Sequence, residues 1–294
     1  MSTVEESAQT GTGNVERIDV MHLGTPGVIC CHRFGDVIID PGPTTSVDHL
    51  VERLGDIDLR AIVLTHIHLD HAGGTGELVR RYPDAQVYVH EIGAPHLVDP
   101  SRLVSSATRV FGELMKSLWG EVVPVPAQNM NAISDGEVVH GLRAILTPGH
   151  SGHHLCYLHE DSGLAIVGDI FGQTRGEIEE VLLPTPPPEI DLDLWADSVR
   201  LLMQFKPVEL GLTHFGAASD PEHQADKALA EIARVGEISQ SGDGDKVVAY
   251  LEENLARMEP GVAKAILQAG PPLEQLWSGL ERYWRKRDEA AAAN

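Results

Sequence analysis

Cysteine is scarce in this chain: there are three, two of them the adjacent pair Cys30 and Cys31. So few thiols cannot build a disulfide framework, and the count points to a reducing compartment. Aromatic residues make up only 5%. The core must then rest on Leu, Val, Ile and Ala, which suits helices packed on sheets better than an aromatic-rich barrel. Basic residues are few as well, 22 Lys and Arg against 44 Asp and Glu, for a formal net charge of −22. Phosphate backbones and anionic lipid surfaces are gripped by clustered Lys and Arg, so neither a nucleic-acid nor a membrane partner is expected. No apolar run approaches the roughly 18 residues of a membrane span. The opening MSTVEESAQTGTGNVE is polar and acidic, without the basic and apolar regions of a secretory leader. These absences together set the expectation of a cytoplasmic protein.

What is present is a chain of 294 residues, 42% hydrophobic, enough for one large domain with an appendage. Residues 1–14, rich in Ser, Thr, Gly and Glu, are expected to be a disordered lead. From Val15 onward, β-branched runs divided by Gly and Pro (RIDVMHL, GVICCHRF, DVIID) predict an antiparallel meander. Val47, Leu50, Val51 and Leu54 recur at helical spacing between Ser46 and Gly55, and a buried strand follows at Ala61–Thr65. Next come a strand QVYVHE, a helix from Ser101 to Leu118, a strand VVPVP, and two hairpin-like runs, EVVHGLRAILTPGH and HHLCYLHEDSGLAIVGD. The proline-rich LPTPPPEID is expected to be an extended surface loop before a helix marked by Trp195, Val199, Leu202 and Phe205. After a last strand, VELGLTHFG, the pattern from residue 217 to 294 is helical throughout. These helices are too few and short to bury their stripes alone, which predicts packing on the β-rich part or on a second copy, and hence a homodimer.

Histidine is the surplus residue, fifteen in all. His66, His68, Asp70 and His71 lie within six residues, directly after an apolar strand and before Gly-Gly. Imidazoles two apart leaving a strand point the same way, and neutral imidazole with carboxylate suits Zn, Fe or Mn. Four further segments put such residues at strand ends: Asp40 in IIDPGP, His150 in LTPGH, Asp169 in IVGD and His214 in GLTHFG. Strand ends that open into loops are where chemistry concentrates.

Through these residues the sequence resembles the metallo-β-lactamase superfamily over residues 15–216. The resemblance implies an α+β fold, a four-layer αββα sandwich forming the catalytic domain, with residues 217–294 as a C-terminal helical extension. It also implies two divalent ions, zinc first and iron or manganese next. His66, His68 and His150 would hold one, Asp70, His71 and His214 the other, and Asp169 would bridge them, with Asp40 orienting a ligand histidine. The implied activity is a dinuclear hydrolase in which a metal-bridging hydroxide cleaves a small carbonyl ester, with Asp70 as the catalytic proton shuttle.

TPGHSGHHLCY and THFG look like lactonase-like or glyoxalase II-like segments, favouring a lactone or thioester as the small-molecule substrate. Two departures stand out. Asp169-Ile-Phe171 lacks the tyrosine common in quorum-quenching lactonases, and no basic cluster for a glutathione tripeptide lies beside any motif. An iron-dependent dioxygenase or diiron oxygen-handling protein is the alternative of the same fold, disfavoured by His68; a β-lactamase or a non-catalytic binding protein ranks behind. Phe171, Phe111, Met115 and Trp119 are expected to wall the substrate pocket, the last three sharing one helical face. His22 and His32 are read as surface or hydrogen-bonded residues, and His153 and His154 as a solvent-facing strand start.

Overall fold

The computed structural model describes residues 15–175 and 178–293. The expected lead at 1–14 lies outside the described residues. The first sheet runs in chain order: β1 (Val15–Asp19), β2 (Cys30–Phe34), β3 (Val37–Ile39), β4 (Ala61–Val63), β5 (Gln86–His90) and β6 (Met130–Ile133). The first three strands form the predicted antiparallel meander, and β3 through β6 are parallel. The second sheet holds β7 (Val138–Val139), β8 (Leu142–Leu146), β9 (Leu155–His159), β10 (Leu164–Ile166), β11 (Glu209–Leu212) and β12 (Gly216–Ala218). It is antiparallel except between β10 and β11.

Helices cover the outer faces. On the first sheet lie α1 (Val47–Leu54), α2 (Leu69–Ala72), α3 (Thr75–Arg81), α4 (Ala94–Val98), α5 (Ser101–Phe111) and α6 (Met115–Trp119). On the second lie α7 (Leu192–Gln204), α8 (Pro221–Ser239), α9 (Gly244–Arg257), α10 (Pro260–Ala269) and α11 (Leu273–Ala293). The period of two along each strand decides which side chains go where. Val37, Ile39, Ala61 and Val63 face Leu142, Ala144, Leu155, Tyr157, Leu164 and Ile166 between the sheets, while Ile38, Ile62 and Ile145 turn outward to helices. The result is the expected αββα sandwich.

Three local expectations are corrected. VVPVP forms no strand; two prolines remove its ladder donors, and the sixth strand is instead β6, a few residues on. The Ser101–Leu118 helix breaks at Gly112, whose φ of 54° ends α5 and reorients α6. The proline-rich stretch is a surface loop only in part, since Pro184 and Thr185 are buried while Pro188 and Glu189 are exposed. The tail packs on its own chain: Ala228, Ile232, Leu251, Leu255, Leu276 and Leu280 join the core of the second sheet. Among the described residues no helix is long and apolar enough to cross a membrane.

Candidate metal centre

Five strands deliver the site. Asp40 follows β3, His66 and His68 follow β4, and Asp70 and His71 sit on the short α2 next to it. His150 lies just beyond β8, Asp169 beyond β10 and His214 beyond β11. Strands that run the same way end at the same edge, so side chains far apart in sequence converge there. Gly168 makes the last approach feasible: its φ is 49°, and a Cβ would lie 2.5 Å from His154 Nε2.

The residues form two groups that share one carboxylate. His66, His68, His150 and Asp169 compose the first; Asp70, His71, Asp169 and His214 compose the second; within each, the ligand atoms lie within 4.8 Å of one another. Asp169 Oδ1 is 3.2 Å from His71 Nε2 and 3.0 Å from His214 Nε2, while its Oδ2 is 3.4 Å from His150 Nε2. One carboxylate thus turns an oxygen to each group.

The backs of the rings are fixed by hydrogen bonds that select the tautomer. His71 Nδ1–H donates to Asp40 Oδ2 at 2.8 Å, and His150 Nδ1–H donates to the Pro184 carbonyl at 2.8 Å. Thr65 donates its hydroxyl to Asp40 Oδ2 at 2.7 Å and so accepts from His66 Nδ1–H at 3.0 Å. Asp40, with a further bond from the Thr65 amide at 2.9 Å, therefore holds two ring histidines at once. These bonds leave the Nε2 lone pairs pointing inward.

That is also where the polar atoms lack partners. His66 Nε2, His71 Nε2, His214 Nε2 and Asp169 Oδ1 are buried with no hydrogen bond among the described residues. His150 Nε2, whose ring already donates through Nδ1, lies 2.8 Å from His68 Nδ1, so the two rings meet at one point of the first group. Burial drives His66 and His150 well below the usual histidine range and His68 to about 4, so all three are neutral, the form that ligates. Burial also opposes a charged His71, yet Asp169, Asp70 and Asp40 together raise it well above the ordinary value. A positive charge is what these carboxylates are arranged to receive, and the donor set fits two divalent ions.

Asp70 differs from Asp169. Burial raises its pKa, with Asp169 adding to the shift and His71 and His214 opposing it. Its side chain is 12% exposed against 2% for Asp169. It lines a cavity of about 360 Å³ above the two groups, as do His68, His150 and Asp169.

Of the four residues expected to wall a substrate pocket, two line this cavity and two do not. Phe111 and Trp119 line the cavity, with ring centroids 5.1 Å apart. Phe171 does not: it is fully buried in the core beneath the second sheet's helices. Met115 is also outside the lining, because the break at Gly112 ends the helical register that linked it to Phe111. The cavity is completed by residues with no sequence signal, the loop of Pro184 and Pro186–Glu189, Ala269–Pro271 from the tail, and Arg102 and Arg109 of α5.

His153 and His154 do not face solvent. His154 is fully buried, its Nε2 accepting from the Asp169 amide at 3.2 Å and its Nδ1 lying 2.8 Å from Thr147 Oγ1. His153 Nε2 accepts from the Ile67 amide at 3.3 Å and its ring lines the cavity. Both precede β9 in the turn after His150, where strand alternation does not set their direction. His22 and His32 are fully buried too, His22 stacked on Trp119 at 5.3 Å.

Comparison with known proteins agrees with this geometry. ST1585, a metallo-beta-lactamase fold-containing protein of Sulfurisphaera tokodaii, is 29% identical over 209 residues, 69% of this chain and 76% of that protein. An atrochrysone carboxyl ACP thioesterase of Aspergillus fumigatus is 26% identical over 60% of this chain but only 33% of its own length. The solved structure of ST1585 from Sulfolobus tokodaii shares the fold with a TM-score of 0.66 at 24% identity, covering 93% of this chain and 99% of that one. TTHA1429 from Thermus thermophilus, a metallo-beta-lactamase family protein, shares it with a TM-score of 0.61 at 21% identity, over 90% and 89%. The sequence pattern of the metallo-beta-lactamase superfamily matches residues 24–214, a span that takes in every residue of the two ligand groups and ends on His214; the chain belongs to that superfamily.

Proposed function

We propose that this protein is a dinuclear metal-dependent hydrolase of a small carbonyl ester, a lactone or a thioester. The observation that carries the reading is the set of buried polar atoms without hydrogen bonds that converge from His66, His71, His214 and Asp169 beside a cavity lined by Asp169, His68, Asp70 and His150. His66, His68 and His150 would hold one ion, Asp70, His71 and His214 the other, and Asp169 both. The nitrogen and oxygen donors suit zinc, with iron or manganese as alternatives. Bound there, such ions supply carbonyl polarisation and a water acidic enough to ionise near neutral pH.

The chain supplies the rest. Asp40 and the Pro184 carbonyl keep the rings from turning, so ligand geometry is set before substrate arrives. Asp70 is the more exposed of the two carboxylates of its group that line the cavity, and one of its oxygens takes the proton and passes it to the leaving group. The apolar walls exclude bulk water from the reacting carbonyl. The likeness to a protein named a thioesterase supports the thioester side of the reading. Cys30, Cys31 and Cys156 are free and buried, in keeping with a cytoplasmic setting.

Metal analysis of the protein purified without chelator is expected to give about two equivalents of metal per chain. That protein should hydrolyse at least one member of a panel of lactones and acyl thioesters. His68→Ala should lower metal content and abolish turnover while leaving the circular dichroism spectrum intact. Full activity in protein shown to be metal-free overturns the reading.

A further inference from the structure

The helix α5 is amphipathic, yet none of its residues is fully buried. Its apolar stripe, Leu103, Ala107, Val110 and Phe111, is directed into the cavity above the metal groups. A helix that turns its apolar face to a cavity is one wall of a ligand site. Facing it are Pro186–Pro188 and, from the tail, Ala269–Pro271. The room is about 360 Å³, close to a dozen water volumes at roughly 30 Å³ each.

Two cations stand on the same wall. Arg102 and Arg109 are seven residues apart on α5, two turns along one face, and both line the cavity. This chain has twice as many acids as bases, and several arginines elsewhere pair with them: Arg17 with Glu209, Arg81 with Glu77, Arg143 with Glu160. Arg102 and Arg109 make no ion pair among the described residues; Arg109 reaches only Ser105 Oγ at 3.3 Å. Asp99, the acid nearest Arg102 in sequence, feels its charge but makes no ion pair with it, its carboxylate being engaged by the Ser101 amide and hydroxyl. Glu189, the carboxylate lining the cavity outside the metal groups, is turned to the Gly152 amide at 3.0 Å and to His153. Two guanidinium groups thus stand without an ion-paired carboxylate beside an apolar channel that leads to the metal groups.

We propose that the substrate is an amphiphilic ester or thioester, with its carbonyl at the metal groups, an apolar part against α5, and a carboxylate or phosphate gripped by Arg102 and Arg109. This rests on the hydrolase reading above. The C–O or C–S bond breaks and the oxygen of water joins the carbonyl carbon. One proton of that water goes to the leaving oxygen or sulfur, the other is released as the product acid ionises, and no redox partner is required. The anion sits either on the acyl end or on the leaving group; guanidinium recognises both alike.

Three substrates separate these cases: nitrophenyl octanoate, which is neutral; the mono-nitrophenyl ester of suberic acid, anionic at its acyl end; and octanoyl coenzyme A, anionic in its leaving group. The quantity read is kcat/KM for each anionic substrate relative to the neutral ester. In Arg102→Gln/Arg109→Gln the ratio for one anionic substrate is expected to fall about 10- to 100-fold, mainly through KM. About 0.5 M salt should reproduce part of that loss. Arg53→Gln, an exposed arginine on α1, should leave the ratio unchanged. A preference that survives the double variant, or a wild type without one, overturns the proposal.

Failure of all three substrates with fully metal-loaded protein counts against the hydrolase reading instead. The grip is then tested by calorimetry with octyl sulfate and octyl glucoside. Tighter binding of octyl sulfate that disappears in the double variant supports the anion site, and equal binding of the two overturns it.

Discussion

His32 sits between the two sheets, where a Cβ on Gly211 of the opposite sheet would come within 2.8 Å of its Nε2. Burial, reinforced by Arg17, lowers its pKa to about 3, and burial holds His22 at about 4. Both are neutral in the fold, whereas an unfolded histidine titrates near about 6.5. Below that pH the unfolded chain gains protons that the native protein refuses. The stability these residues contribute is therefore complete above about pH 6.5 and falls, for each, by about 1.4 kcal/mol per pH unit until the folded pKa is reached. Urea unfolding of the chelator-treated protein at about pH 7.5, 6 and 5 should show this acid loss, and His32→Met should reduce its slope by the share of one histidine. Equal slopes for the two proteins remove the claim of a neutral buried ring.

The same residues show how far sequence reading reached. The seven ligand-group positions were legible because they fall in four short segments that each follow an apolar strand, so a local pattern carried the signal. His22, His32 and His154 were not, because their burial comes from partners far along the chain, Trp119, Gly211 and the Asp169 turn.

At the scale of elements, the tail helix α11 is tied to the metal centre through the proline loop. Gly279 packs so close to that loop that a Cβ would lie 2.0 Å from the Thr185 carbonyl oxygen. Thr185 Oγ1 in turn donates to the Leu276 carbonyl at 3.0 Å, and Arg282 Nε donates to the Pro188 carbonyl at 3.1 Å. One residue before Thr185, the Pro184 carbonyl accepts from His150 Nδ1. Any side chain at position 279 must push the loop away and with it the acceptor that fixes His150. Gly279→Val is expected to cost about 1–3 kcal/mol of stability as overpacking, and in addition to weaken metal binding by the group that contains His150. Chelator competition is the measurement, with Gly163→Val, in the turn between β9 and β10 and packed on Val208, as the comparison for destabilisation alone. A metal affinity equal in the two variants shows that the tail braces the fold without setting the site. The helical register of the tail was legible from its three- and four-residue spacing. Its docking on the proline loop was not, since a glycine gives no periodic signal.

For the whole molecule, the tail stripes that predicted a homodimer are covered within the chain, where they help build the core of the second sheet. What a second copy could still cover is another surface: Leu194 and Leu201 on α7, with Phe205 and Val208 just beyond, are exposed at 46%, 37%, 41% and 56%. Four large apolar side chains along one helix and its exit form the kind of patch that marks an interface. Charge opposes the pairing, because each copy carries −22 and the repulsion between two of them is long-ranged at low ionic strength. Screening removes much of it, so association through this face should strengthen with salt, unlike an interface built on ion pairs. Light scattering at about 0.02 and 0.3 M salt is expected to show the mass moving toward two chains in the second condition. Phe205→Asp, which puts a charge in the centre of the stripe without touching the core, should return it to one chain. A mass of one chain for the wild type at both salt concentrations eliminates the dimer, and a two-chain mass that Phe205→Asp leaves unchanged moves the interface away from α7.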